Sequence, residues 1–239
     1  MPIDSDALAS SIAGLAELSA PRGLEQALEQ VVEETDRMFK VDGAGLMLLD
    51  QSDTLRYVVA SDEPGRVLET IQEQVGEGPC LDAFDRDEPT VVADVTRERR
   101  WPSFARLARQ HRLIGVLGVP VDLETGTVGT LNVYSTARHD WDDDEVEAIQ
   151  AYARIVASVL RTAVEAHVQG QVAEQLRYAL DRRVVVEQAK GMLMERESID
   201  PRAAFELIRQ RARSSREPVI EVARRVVAGG PLERPTGSP

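Results

Sequence analysis

One cysteine, Cys80, is all that the 239 residues contain, which excludes an intramolecular disulfide and any metal site built from several thiolates. No stretch approaches the roughly eighteen consecutive apolar residues of a membrane-spanning helix, so no membrane partner is expected. The opening MPIDSDALASS has no basic residue before Arg22 and no continuous apolar core, which argues against a signal peptide and for the cytoplasm. A Walker A loop and a Gly-x-Ser-x-Gly elbow are both missing, and Gly76-x-Gly78 is only a turn signal. His111, His139 and His167 are isolated from one another in sequence, so neither a metal nor another cofactor is expected.

Apolar residues form 43% of the chain and charged residues 29%, enough for a packed domain and against wholesale disorder. The net charge of -13 would repel nucleic acid, but it is unevenly spread. Residues 1–175 hold 15 basic against 32 acidic side chains, whereas residues 176–228 hold 12 against 8. The basic end is therefore where a polyanion partner would be sought, although a solvated helix surface can carry the same excess.

Leu24, Leu28, Val31, Thr35 and Met38 recur at helical spacing within 22–39. Two strand-like runs, Gly43–Leu49 and Thr54–Ala60, flank the turn residues Asp50-Gln51-Ser52-Asp53. A helix over Arg66–Gln74, the loop Gly76–Cys80, a strand over Thr90–Val95 and a helix to about Gln110 follow. Ile114–Val121 and Thr127–Ser135 make a second hairpin around Glu124-Thr125-Gly126. Hairpin-linked strands with helices between them predict an α+β domain with an antiparallel sheet flanked by helices.

Trp141-Asp142-Asp143-Asp144-Glu145 announces a helix, with Asp142 as cap and Glu145 three residues on. Little breaks it before about Glu197; Gly170 is the weak point ahead of Gly191. Val164, Val168, Val172, Leu176 and Leu180 continue an apolar stripe, the signature of a helix that pairs with a second copy. Asp200-Pro201 and Pro218 start two further helices. Phe205, Ile208 and Ala212, with Ile220, Ala223 and Val227, can share a small core with Val185, Val186, Ala189, Met192 and Leu193.

The run Leu180–Arg196, with its Ala189-Lys190-Gly191-Met192-Leu193-Met194 hexad, closely resembles the start of the ANTAR domain, and Ala203-Ala204-Phe205-Glu206-Leu207-Ile208-Arg209 fits its continuation. Upstream, Gly76–Ala83, Arg100-Trp101-Pro102, Gly115–Pro120 and Gly129–Tyr134 resemble the GAF domains that precede ANTAR modules in actinobacterial-type regulators. The resemblance divides the chain into a tail or helix (1–16), a GAF-like sensor (17–165), a helical linker or coiled coil (166–175) and a three-helix ANTAR module (176–230), and the Gly/Pro-rich composition of the end predicts a disordered tail (231–239). It implies an RNA-binding transcription antiterminator that recognises paired stem-loops in nascent transcripts. Two hairpins imply two modules, hence a homodimer through the long helix. A small-molecule effector of the sensor is implied as a class, with its identity open.

Arg183, Glu187, Lys190, Gly191 and Met194 fall opposite the apolar face of their helix. Lys190 offers an ammonium to phosphate, Gly191 removes a side chain where RNA could approach, and Met194 could lie against an unstacked base. Arg202, Arg209, Arg213 and Arg216 form a stripe with Glu206 on the next helix, able to bind phosphates or stack on splayed bases. Three alternatives stay open: a helix-turn-helix binding duplex DNA, a module that binds only proteins, and a thiol enzyme of the GAF-type methionine sulfoxide reductase kind. The last lacks a resolving cysteine beside Cys80. Asp82 and Asp85 near Cys80 should disfavour its thiolate.

Overall fold

The computed structural model describes residues 24–50, 54–123, 126–165, 171–215 and 217–230. The N-terminal segment, the tips of both hairpins, Val168, Gly170, Arg216 and the tail from residue 231 lie outside the described residues.

Helix α1 (Leu24–Phe39) leads into the hairpin β1 (Gly43–Leu49) and β2 (Leu55–Ala60). Helices α2 (Glu63–Val75) and α3 (Pro79–Arg86) follow, then β3 (Thr90–Val92), α4 (Pro102–Gln110), and the hairpin β4 (Gly115–Leu123) and β5 (Gly126–Ser135). The sheet order is β2-β1-β5-β4-β3 with every pairing antiparallel, as the hairpin pattern predicts. Alternation along the strands sends Leu131 and Val133 toward one face, where they share a core with Leu28, Val31, Tyr152 and Val156 of α1 and α5 (Asp143–Glu165). Tyr134 and Val116 face the other way and pack with Leu68, Trp101 and Phe104 under α2 and α4.

Local chemistry sets the helix ends. Asp62 starts α2 by accepting from Gly65 N at 2.8 Å, and Gly76, at φ 67°, ends it in the left-handed conformation. Glu77 reaches the amides of Ser103 and Phe104 and so caps α4 from a distant loop. Asp142 and Glu145 form the expected reciprocal box: each side chain accepts the other's backbone N–H, at 3.1 and 2.8 Å.

Over 143–197, expected as one long helix with Gly170 its weak point, the structure describes two helices, one on each side of residues 166–170. Helix α5 is described as far as Glu165, and α6 (Gln171–Glu197) packs against α5, β1 and β5. Ala173 is buried at 1% exposure in the sensor core. Because α6 packs back against α5 and the sheet, the two helices do not run on as one straight rod. The side chains of Val164, Val172, Leu176 and Leu180, which carried the expected pairing seam, lie outside the described set.

The second half of α6 has a core of its own with α7 (Pro201–Ser215) and α8 (Val219–Val227). Val186, Ala189 and Leu193 meet Ala204, Ile208 and Ala212 of α7 and Val222, Ala223 and Val226 of α8. Asp200 caps α7 through Ala203 N at 2.8 Å. Helix α6 therefore belongs to both cores, sensor-side at Ala173 and module-side from Val186.

Candidate nucleic-acid interface

On α6, Glu187, Lys190, Gly191 and Met194 share one side by their spacing of three, one and three. Gly191 is exposed, and a Cβ built on it would meet nothing within 4 Å. The fold thus places no constraint on that position, and the backbone there is open to a close partner. Lys190 is less free than the pattern implies. Its side chain is 15% exposed, and Nζ lies 2.9 Å from Glu187 Oε1.

Met194 is corrected from an open face to a half-buried position against the module's core. Phe205 is likewise half-buried, while Ala204 takes the deep position on α7. A small alanine is what lets α7 approach α6 closely there.

Arg209 does not stand in an open stripe. Its guanidinium is ion-paired with Asp85 on α3 of the sensor half and lies 3.6 Å from Glu206, leaving its side chain 17% exposed. Spacing on α7 could not reveal this, because Asp85 comes from a remote part of the chain. Arg183 lies on α6, and Arg202 and Arg213 on α7, with side chains outside the described set. Arg196, Arg224 and Arg225 are exposed cations of the same module that the stripe overlooks. Arg224 pairs with Glu221 at 2.7 Å and Arg225 with Glu217 at 2.6 Å.

The sensor half holds a buried polar layer between α2, α3 and the middle of the sheet. Gly45, Asn132 and Gly118 stand side by side across β1, β5 and β4. The two glycines leave room for what lies on Asn132. A Cβ at Gly45 would come within 2.3 Å of Glu69 Oε1, and one at Gly118 within 3.1 Å of Cys80 Cα. Glu69 of α2 is fully buried and accepts from Asn132 Nδ2 at 2.8 Å. Desolvation pushes its carboxyl up to about 8, against the opposing pull of that hydrogen bond. Gln72, one turn on, accepts from Cys80 N at 2.9 Å and donates to Cys80 Sγ at 2.7 Å. Glu69 Oε2, Thr130 Oγ1 and Asn132 Oδ1 find no hydrogen-bond partner among the described residues.

Cys80 itself is buried, inside the first turn of α3 and not ahead of it. Burial pushes its thiol well above the ordinary range, and the charge of Glu69 adds to that. The acidic residues along α3 are not the cause. Such a thiol is a poor nucleophile. His139 contacts Glu145 and stacks on Trp141 at 4.0 Å between centroids, and His111 is exposed. Among the described residues no helix is long and apolar enough to cross a membrane.

Comparison with known families adds identity to this geometry. The GAF domain model matches residues 21–161 and the ANTAR domain model residues 174–227. The chain belongs to the GAF family, with an ANTAR domain behind it. Solved structures of the same fold include the GAF domain of an Acinetobacter phosphoenolpyruvate-protein phosphotransferase, at 18% identity over 68% of this chain and 95% of that one, TM-score 0.55. The corresponding domain from Coxiella burnetii is 21% identical over 69% of this chain and 96% of that one, TM-score 0.53. A type II free methionine-R-sulfoxide reductase from Thermoplasma acidophilum is 16% identical over 57% of this chain and 91% of that one, TM-score 0.48. None of the curated proteins matches the chain. A GAF domain followed by an ANTAR domain is a regulator's architecture, and the buried layer lies in its GAF half.

Proposed function

We propose that the protein is a signal-responsive RNA-binding transcription antiterminator of the cytoplasm. In this reading the GAF domain governs how the ANTAR module binds stem-loops in nascent mRNA, and bound hairpins displace an overlapping terminator. The carrying observation is the ANTAR match over 174–227, on the segment where basic residues outnumber acidic ones and Gly191 leaves helix backbone open. Lys190 and Gly191 meet the loop. Arg183, Arg202, Arg209, Arg213 and Arg216 serve the stem phosphates, and Met194 backs the α6 surface from its half-buried place. Two hairpins call for two modules, so the acting species is a homodimer, and its effector is a small molecule taken by the GAF domain.

The test compares tandem hairpin RNA with duplex DNA of equal charge, titrated into the full-length protein, with sedimentation to count chains. Preference for the hairpins by tenfold or more, with two chains per complex, is the expected result. Equal or tighter binding of the duplex would transfer the reading to a DNA-binding regulator.

A further inference from the structure

Arg209 belongs to the set proposed to meet RNA, yet its guanidinium is occupied from within the molecule by Asp85. The two side chains are 17% and 21% exposed, so the pair is shielded on both sides and less screened by salt than an open surface pair. A carboxylate and a phosphate present the same paired oxygens to a guanidinium fork. Asp85 and an RNA phosphate therefore compete for one set of donors.

We propose that Asp85 is an intramolecular competitor for RNA, so that this arrangement is a restrained state in which the GAF half holds α7 and hairpin binding requires α7 to part from α3. The inference rests on the RNA reading of the preceding subsection and adds its mode of control. Three features fit Asp85 to the role. It sits on a short helix and not on a free loop, and Asp87 just beyond that helix holds Thr127 at the start of β5. The other end of α3 is tied through Cys80 and Gln72 to the buried layer, so any rearrangement of that layer bears on the helix that carries Asp85. The first half of α6 packs on β1 and β5, which brings the module alongside the sensor.

A protein whose binding-competent state is only a fraction of the population binds more weakly by that fraction. Breaking the clasp should raise it. The experiment uses the full chain in three forms: wild type, Asp85→Asn, which keeps the shape and removes the charge, and Glu88→Gln, which removes the same charge at an exposed site three residues on. Each is titrated with a tandem hairpin RNA at low and moderate salt, and amide exchange of α7 is followed without RNA. Asp85→Asn should bind about five- to tenfold tighter than wild type, Glu88→Gln should stay within about twofold, and α7 should exchange faster only in the first. An equal gain in both variants would reduce the effect to lowered negative charge and overturn the proposal. So would an unchanged affinity in Asp85→Asn, with or without faster exchange. If no form binds any hairpin, the RNA reading itself fails; faster exchange of α7 would then leave the clasp as a purely structural contact.

Discussion

Glu69 and Asn132 meet at 2.8 Å in the centre of the sheet, where neither side chain reaches solvent. Glu69 belongs to a helix and Asn132 to a strand far along the chain, and Gly45 beside them supplies the space. A carboxyl placed there holds its proton to about pH 8, while the unfolded chain releases it near 4.5. Between those limits the native state binds one proton more than the unfolded state. The contribution to stability is thus full below pH 4.5 and falls by about 1.4 kcal/mol per pH unit until about 8. Glu69→Gln, similar in shape and without a charge, should flatten this slope. Denaturant titrations at pH 5.5, 7 and 8.5 should show the variant gaining on wild type at each step, and parallel profiles would refute the burial argument.

Cys80 is predicted to be silent in function. Its thiol is buried, and its pKa is raised by burial and by Glu69. Cys80→Ser should cost about 1 kcal/mol, the scale of one altered buried hydrogen bond. Hairpin affinity should be unchanged. A thiol reagent should label wild type only at the rate at which the native fold opens. Rapid labelling of the folded protein, or lost regulation in a well-folded serine variant, would point to a redox role.

Gly191 offers a substitution that separates folding from recognition. Its added Cβ would touch nothing in the protein, and alanine is the better helix former by about 0.5–1 kcal/mol. Gly191→Ala should therefore raise the unfolding free energy slightly while weakening hairpin binding about tenfold, if RNA approaches the backbone there. A variant that is more stable and binds RNA as well as wild type would remove Gly191 from the interface.

Much of the fold was legible because its signals are local. The cap at Asp142 with Glu145, the cap at Asp200, and the hairpins set by short turn segments all lie within a few residues of what they control. Tertiary relations were not legible. The spacing of Arg209 on α7 shows which side of the helix it occupies, but not that Asp85 lies over that side. Glu69 reads as one more polar residue of an amphipathic helix; only the glycine across the sheet lets it be buried. The long helix was legible only in part. Its apolar stripe runs through 164–180, and spacing along one helix does not reveal that Ala173 joins the core beneath the sheet.

Lys190 and Arg213 should differ in kind, the former reading the loop and the latter holding the stem. Lys190 adjoins the open backbone at Gly191, and its ammonium is held by Glu187 near that spot instead of sweeping freely. A group fixed beside an unstacked base contributes about 1–3 kcal/mol to the correct loop and little to a scrambled one. Arg213 lies on α7, one turn beyond Arg209, where a long side chain suits the regular phosphates of a stem. A contact of that kind weakens every hairpin alike and lowers the slope of log affinity against log salt by about 0.7–0.9. Lys190→Ala should therefore narrow the gap between correct and scrambled loops, while Arg213→Ala should shift both affinities together and flatten the salt dependence. Titrating both variants against both RNAs at two salt concentrations measures each quantity. Equal losses on the two loops for Lys190→Ala would make that lysine a phosphate contact and move loop reading elsewhere on α6.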